Sequence, residues 1–261
     1  MYSHHEAAIG RVIARYRDEP GVLAILLAGS LAHGTATGNS DVDVMLVVSD
    51  EELAERTAAN TTAFTDFELA RYPNGYVDGK YVSLGYLDEV TLRGSEPARF
   101  AFKGARVLFS RIEGLEMRLA VAASYPVKLQ ADRIARFAAQ LEAWTWMAGE
   151  AERKGNPYLL ATASARVALF AGRMLLAHNR VLYPFHKWFL HALEHAPDKP
   201  DGVVELIREL VSAPTAAKAE QLRDAVLGFR DWDRGAVDWP NHFIRDTEQA
   251  WLRDAAAVED L

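Results

Sequence analysis

With 261 residues, half of them hydrophobic and a quarter charged, the chain is long enough for two domains and apolar enough to bury a sizeable core, which excludes a disordered protein. The absence of cysteine excludes disulfides and Cys-based zinc or iron–sulfur centres. A net charge of −7 argues against a nucleic-acid partner, whose phosphates call for stripes of Lys and Arg, and suits a cationic small molecule better.

The start, Met1-Tyr2-Ser3-His4-His5-Glu6, has neither the basic flank nor the apolar core of a leader, and no uninterrupted apolar run reaches membrane-spanning length. A cytoplasmic protein without membrane contact is expected. Residues 6–16 place Ala8, Ile9, Val12, Ile13 and Tyr16 at helical spacing before the stop Asp18-Glu19-Pro20-Gly21, so a first amphipathic helix should pack on a sheet. Residues 22–27 and 42–48 are apolar runs of strand length. Between them, small residues from Gly29 to Gly38 lead into Ser40-Asp41-Val42-Asp43.

Side chains alternate along a strand, so Asp41 and Asp43 share one face and Val42 and Val44 the other. Two carboxylates so placed can share divalent cations, and Mg²⁺ prefers one or two carboxylates together with substrate phosphates. Gly29 and Ser30 offer backbone N–H groups and a hydroxyl to phosphates, while Gly34 and Gly38 let the loop turn. Gly29 and Gly34 have the spacing of a P-loop, but Thr35 stands where that motif needs Lys. No G-x-G-x-x-G follows a strand, so a Rossmann dinucleotide site has no support.

The run Gly29-Ser30, a Gly-containing spacer and Ser40-Asp41-Val42-Asp43, set between two apolar strands, resembles the signature of the DNA polymerase β-like nucleotidyltransferase superfamily. The resemblance implies Mg²⁺-dependent transfer of a nucleoside monophosphate from a nucleoside triphosphate to an acceptor. It implies Asp41 and Asp43 as catalytic metal ligands, Gly29 and Ser30 on the triphosphate, and Ser40 supporting the loop. His33 is a departure, because close relatives often carry Arg there.

Ser49 with Glu52 forms a capping box for a helix over 49–59, a second short helical piece is expected over 64–72, and residues 76–84 read as a strand after the Pro73-Asn74-Gly75 turn. Asp78 in that strand resembles the superfamily's third acidic position, as a further metal ligand and as the base for the acceptor's hydroxyl. Cross-strand neighbours approach within about 5 Å, close enough for either role. Asp88 or Glu89, beyond the strand, are the substitutes. Lys80 points to the face of Asp78, as a phosphate partner or simply an exposed strand lysine.

Residues 105–110 read as a last strand, and after Arg111 long Ala, Leu, Arg and Glu patterns take over. The fold class expected is therefore α+β, with a nucleotidyltransferase domain carrying a small mixed sheet over residues 1–112 and a helical, substrate-binding bundle over 113–261. Helices are expected over 126–152, 158–178, 184–194, 202–211, 215–229 and 240–258.

Asn179 to Trp188 resembles the segment by which aminoglycoside-type nucleotidyltransferases bring a Lys onto the triphosphate. Pro184 would start a helix and Lys187 would lie one turn in, where helix end and ammonium both favour anions. The antibiotic-modifying branch is the nearest analogue by size and two-domain plan, which implies ATP or another nucleoside triphosphate as co-substrate and a small hydroxylated acceptor. A protein or RNA acceptor, or nucleotide binding without turnover, are the rival readings.

His191-Ala192-Leu193-Glu194-His195 matches the H-x-x-E-H expression of zinc proteases, but no third protein ligand is evident, and a His pair one turn apart on a polar face is its ordinary reading. Arg180 and His186 have a spacing resembling the Arg–His motif of HEPN ribonucleases, a short match. The six tryptophans all lie in the helical half, where core packing accounts for most. Asp132, Glu142, Glu150 and Glu152 read as a solvated helix face.

Overall fold

The computed structural model describes residues 1–233, 238–253 and 256–261. In chain order it comprises α1 (Ser3–Tyr16), β1 (Ala24–Leu27), α2 (Gly29–His33), β2 (Val42–Val48), α3 (Asp50–Ala58), β3 (Ala63–Asp66) and β4 (Val77–Ser83), then α4 (Leu84–Arg93), α5 (Glu96–Phe100), β5 (Arg106–Ser110) and α6 (Leu115–Ala122). Helices follow: α7 (Gln130–Arg153), α8 (Pro157–His178), α9 (Phe189–Glu194), α10 (Val203–Ser212), α11 (Ala216–Leu227) and α12 (Trp239–Asp246). Residues 1–94 with 98–124 form one compact unit, and 95–97 with 125–261 a second.

The first unit is built on a five-stranded mixed sheet in the order β3-β4-β2-β1-β5. β2 and β4 run parallel, and the other neighbours antiparallel. β1 and the stretch of β2 after Asp43 read as apolar runs because both faces are covered. On one face Val42, Val44, Leu46, Ile25 and Leu27 pack with Ala8, Ile9 and Val12 of α1. On the other, Met45, Val47 and Leu26 pack with Leu87 and Val90 of α4 and Leu115 and Leu119 of α6. The α6 stripe places the stretch after Arg111 in the same core as the sheet.

The helical piece expected over 64–72 is instead the edge strand β3 and a turn. Gly79 of β4 leaves room for the Phe64 ring, since a Cβ there would lie 2.1 Å from Phe64 Cζ, and Phe64 pairs opposite Gly79 in the ladder. Asp66 then ends the strand by accepting the N–H groups of Glu68 (2.8 Å) and Leu69 (2.9 Å), an Asx turn that competes with helix formation. At α3 the capping box is half formed. Ser49 Oγ accepts from Glu52 N (3.2 Å), while the Glu52 carboxylate turns to Arg56 (2.7 Å).

In the second unit, α7 and α8 pair along their lengths. Gln130 Nε2 donates to the carbonyl of Ala177 (2.8 Å), which brings the start of α7 beside the end of α8. Phe137, Leu141, Val167, Phe170, Met174 and Leu175 fill the interface. α8 is long and apolar enough to cross a membrane by length and composition alone, but 67% of its most apolar window is buried inside the protein. Asn156 caps it through Leu159 N (3.0 Å), with Pro157 at the first helical position.

The helix expected over 184–194 is broken: Pro184 and Phe185 lie outside it, Phe185 has φ +65°, a 3₁₀ turn covers His186–Trp188, and α9 begins only at Phe189. The helix expected over 240–258 ends at Asp246, and positions 254 and 255 of that span lie outside the described residues.

α12 is tied to α7 by Asp246, whose side chain is fully buried and accepts Arg136 Nε (2.7 Å) and Nη2 (3.0 Å). Burial opposes ionisation, but the Arg136 hydrogen bonds and charge, with Arg253 and Arg245, outweigh it and hold the carboxyl below the usual range. A carboxyl depressed in the folded state adds stability above its unfolded pKa, and that contribution disappears as pH falls through the folded value. Urea unfolding across pH should therefore show wild-type stability declining below about pH 4. Asp246→Asn should flatten that decline and cost about 2 kcal/mol at neutral pH; an unchanged slope would show that Asp246 takes no part in it.

Candidate active site

The site begins where β1 stops. Ala28 N donates to the carbonyl of Asp43 (2.9 Å), so the chain leaving β1 passes directly beside that residue. Gly29 sits at φ +61°, and a Cβ on it would lie 1.7 Å from Asp43 Oδ2. Only glycine permits both the left-handed turn and the carboxylate lying over it. The short helix α2 follows and ends at Gly34, φ +75°. Within it the Ser30 hydroxyl is buried without a hydrogen-bond partner.

Gly29→Ala should force the Asp43 carboxylate aside. The expected loss is about 1–3 kcal/mol of stability, with a fall in turnover larger than the unfolded fraction explains, read by thermal unfolding beside pyrophosphate release. Wild-type values for both would show that the carboxylate does not need this turn.

The loop from Gly34 to Ser40 is held at several points. Thr37 N donates to Ser40 Oγ (2.9 Å). The Ser40 carbonyl accepts from Tyr72 OH (2.7 Å) and His5 Nε2 (3.0 Å), and the Gly38 carbonyl accepts from His4 Nε2 (2.9 Å). His4 and His5 pack on Tyr72 with ring centroids 4.6 and 5.3 Å away. Burial lowers the pKa of His5, which favours the neutral ring with its proton on Nε2. The backbone that delivers Asp41 is thus fixed by side chains from α1 and from the turn before β4.

Asp41 precedes β2 and its carboxylate accepts the Tyr76 hydroxyl. That hydrogen bond raises the Tyr76 pKa most, followed by the charge of Asp41, burial, and the charges of Asp78 and Asp43. Asp43 and Asp78 are register partners across the parallel β2–β4 pair, where adjacent strands lie about 4.8 Å apart. Asp78 is exposed, with Oδ1 accepting from Thr65 Oγ1 of β3 (3.2 Å). Lys80 is half-buried on the same face. Burial lowers its pKa, opposed by the carboxylates of Asp43 and Asp78. The sheet therefore gathers Asp41, Asp43, Asp78, Tyr76 and Lys80 at one end.

The hard oxygen donors of Asp41, Asp43 and Asp78 fit Mg²⁺, which needs only one or two protein carboxylates when phosphates complete its shell. These three are nevertheless not drawn into a closed cage. Among the described residues, the cluster whose ligand atoms all lie within 4.8 Å of one another is His191, Glu194 and His195. Tyr76 and Thr65 hold Asp41 and Asp78 separately.

His33 stacks on Phe100 (centroids 5.1 Å, 19°), and burial, then the charge of Lys103, lower its pKa. It is an aromatic wall rather than a cation. Asp88 and Glu89 lie on α4, paired with Arg118 (3.1 Å) and Arg93 (2.5 Å), and so are not strand carboxylates. Lys187 is exposed in the 3₁₀ turn of the second unit, and no hydrogen bond or ion pair engages it among the described residues. Arg180 donates to Gln130 (3.2 Å), whereas His186 Nδ1 pairs with Tyr183 OH (3.0 Å); their partners differ, and no hydrogen bond joins the two among the described residues.

This end of a mixed sheet, with a Gly-Ser turn beneath paired strand aspartates, defines a class that comparison supports. A family model described as a nucleotidyltransferase domain matches residues 10–95, and those residues hold the Gly29–Ser30 turn and all three aspartates. The chain therefore carries a nucleotidyltransferase domain. A nucleotidyltransferase-like protein from Exiguobacterium sibiricum 255-15 has a similar fold, with a TM-score of 0.51 at 14% identity, covering 96% of this chain and 80% of that one. No curated protein sequence matches the chain.

Proposed function

We propose that the protein transfers a nucleoside monophosphate, with ATP as the donor, to a hydroxyl of a small, cationic acceptor of the aminoglycoside kind. The observation that carries this is the register pairing of Asp43 with Asp78 above the Gly29 turn. The exposed Asp78 takes the proton of the acceptor hydroxyl as its oxygen bonds to the α-phosphorus, and the bond to pyrophosphate breaks with pyrophosphate leaving. Thr65 orients that base, and the Gly29–Ser30 backbone and the Ser30 hydroxyl face the phosphates. Mg²⁺ held by Asp41, Asp43 and Asp78 would supply charge neutralisation on the phosphate oxygens. Lys80 balances the carboxylates, and Lys187 is the helical unit's ammonium for the triphosphate. A cytoplasmic location, where nucleoside triphosphates are supplied, fits this reading.

The test is pyrophosphate release with Mg²⁺ and each nucleoside triphosphate against aminoglycosides, other hydroxylated metabolites, RNA and protein. Acceleration by one small-molecule class supports the reading. Label entering only macromolecules, or tight nucleotide binding without pyrophosphate release, overturns it. Lys187→Ala should weaken nucleotide affinity by about tenfold while leaving acceptor affinity unchanged, and equal nucleotide affinity would remove Lys187 from the site.

A further inference from the structure

We infer that the end of α9 is a binding site for a transition-metal dication, Zn²⁺ by its donor set, separate from the aspartate site. His191, Glu194 and His195 are all exposed, and one ligand atom from each lies within 4.8 Å of the others. The two imidazoles sit four residues apart on one helical face with centroids 4.3 Å apart. His195 Nδ1 is hydrogen-bonded to the carbonyl of His191 (2.8 Å). That bond puts the proton on Nδ1 and leaves the lone pair on Nε2, the second-shell arrangement that fixes a ligating histidine.

Ligands about 2.1 Å from a tetrahedral zinc stand about 3.4 Å from one another. The three side chains must therefore close by roughly an ångström, which exposed rotamers do without moving backbone. Glu194 is engaged by Arg208, which also pairs with Glu205. An exposed ion pair of this kind holds its carboxylate weakly. The last carbonyls of α9 add partial negative charge on the same side. Two imidazoles and one carboxylate select Zn²⁺, Ni²⁺ or Cu²⁺ over Mg²⁺, which prefers all-oxygen shells. Bound metal would tie the last turn of α9 to its C-cap residue, within reach of the Trp188 ring that packs on His191 (5.6 Å).

The test uses the full chain stripped with EDTA and titrated with Zn²⁺ against a chromophoric chelator. One equivalent should bind with micromolar affinity, undisplaced by millimolar Mg²⁺ and retained in Asp43→Asn. His191→Ala and His195→Ala should each weaken it by about 10–100-fold, and Glu194→Gln by less. Because all three positions are exposed, the melting temperature in EDTA should not change. Cu²⁺ should quench part of the tryptophan emission, and Trp188→Phe should remove that part. Zn²⁺ bound equally well by the variant carrying both His191→Ala and His195→Ala, or no binding below millimolar concentration, overturns the site.

Discussion

Asp43→Asn is expected to remove nucleotidyl transfer while leaving the protein folded. The substitution keeps the volume of the side chain, so the space over Gly29 stays filled and the β2–β4 ladder is untouched. It removes one of three negative charges gathered at the sheet end, so mutual repulsion with Asp41 and Asp78 falls and thermal stability should hold or rise slightly. Turnover should drop by about a thousandfold or more, the scale of losing a principal electrostatic contact at a reacting centre. Pyrophosphate release and nucleotide affinity, measured on the same preparation, separate the effects. Asp43→Asn should affect both, whereas Asp78→Asn should depress turnover at saturating nucleotide, since a base acts after binding. A near-native rate from Asp43→Asn would remove it from the chemistry.

How far this site could be read in advance depended on the range of the interaction. The alternation of Val42, Asp43 and Val44, with Asp78 in a second strand, is local, and a two-residue period places it without any coordinates. The glycine at Gly29 was legible as a turn. Its contact with Asp43 was not, because nothing in the intervening spacer states which carboxylate approaches.

The clamp on Ser40 by His5 and Tyr72 joins residues 35 and 32 positions apart, and Tyr76 reaches back to Asp41. The available signal for Tyr76 was its phase: it stands two residues before Asp78, on the same face. The helical piece expected over 64–72 gives way to β3 because the features that decide against it lie in the partner strand and in Asp66's turn. Lys187 was placed in a helix on the strength of Pro184, but Pro fixes only its own φ and leaves Phe185 free to adopt φ +65°. Thr215 and Asn156, both with their side chains on the backbone, mark helix starts as their chemistry requires.

The second large effect is expected in the helical unit, at Glu96. Its carboxylate is 1% exposed and accepts Arg133 Nη1 (2.7 Å) and Tyr183 N (2.6 Å), with Arg173 at 3.4 Å. Arg173 is itself fully buried, flanked by the rings of Phe137 (4.6 Å) and Tyr183 (4.3 Å), with one nitrogen on the carbonyl of Leu261 and two without partners. Burial pushes the Glu96 carboxyl above its ordinary range and the Arg173 guanidinium below its own, each against the pull of the other. Desolvation opposes the charged form of each partner, so the pair is weak evidence of net stability. Removing one partner from such a group is a different matter, because the remaining charge stays buried and uncompensated. Glu96→Ala should cost about 3–5 kcal/mol, a large share of the 5–15 kcal/mol typical of a domain. Glu96→Gln should cost less, since it keeps an acceptor for Tyr183 N. Combining Glu96→Gln with Arg173→Met should recover part of the loss by removing the orphaned charge. Chemical denaturation of the four proteins measures this directly. A loss below about 1 kcal/mol for Glu96→Ala would mean that water reaches Arg173 once the carboxylate is gone.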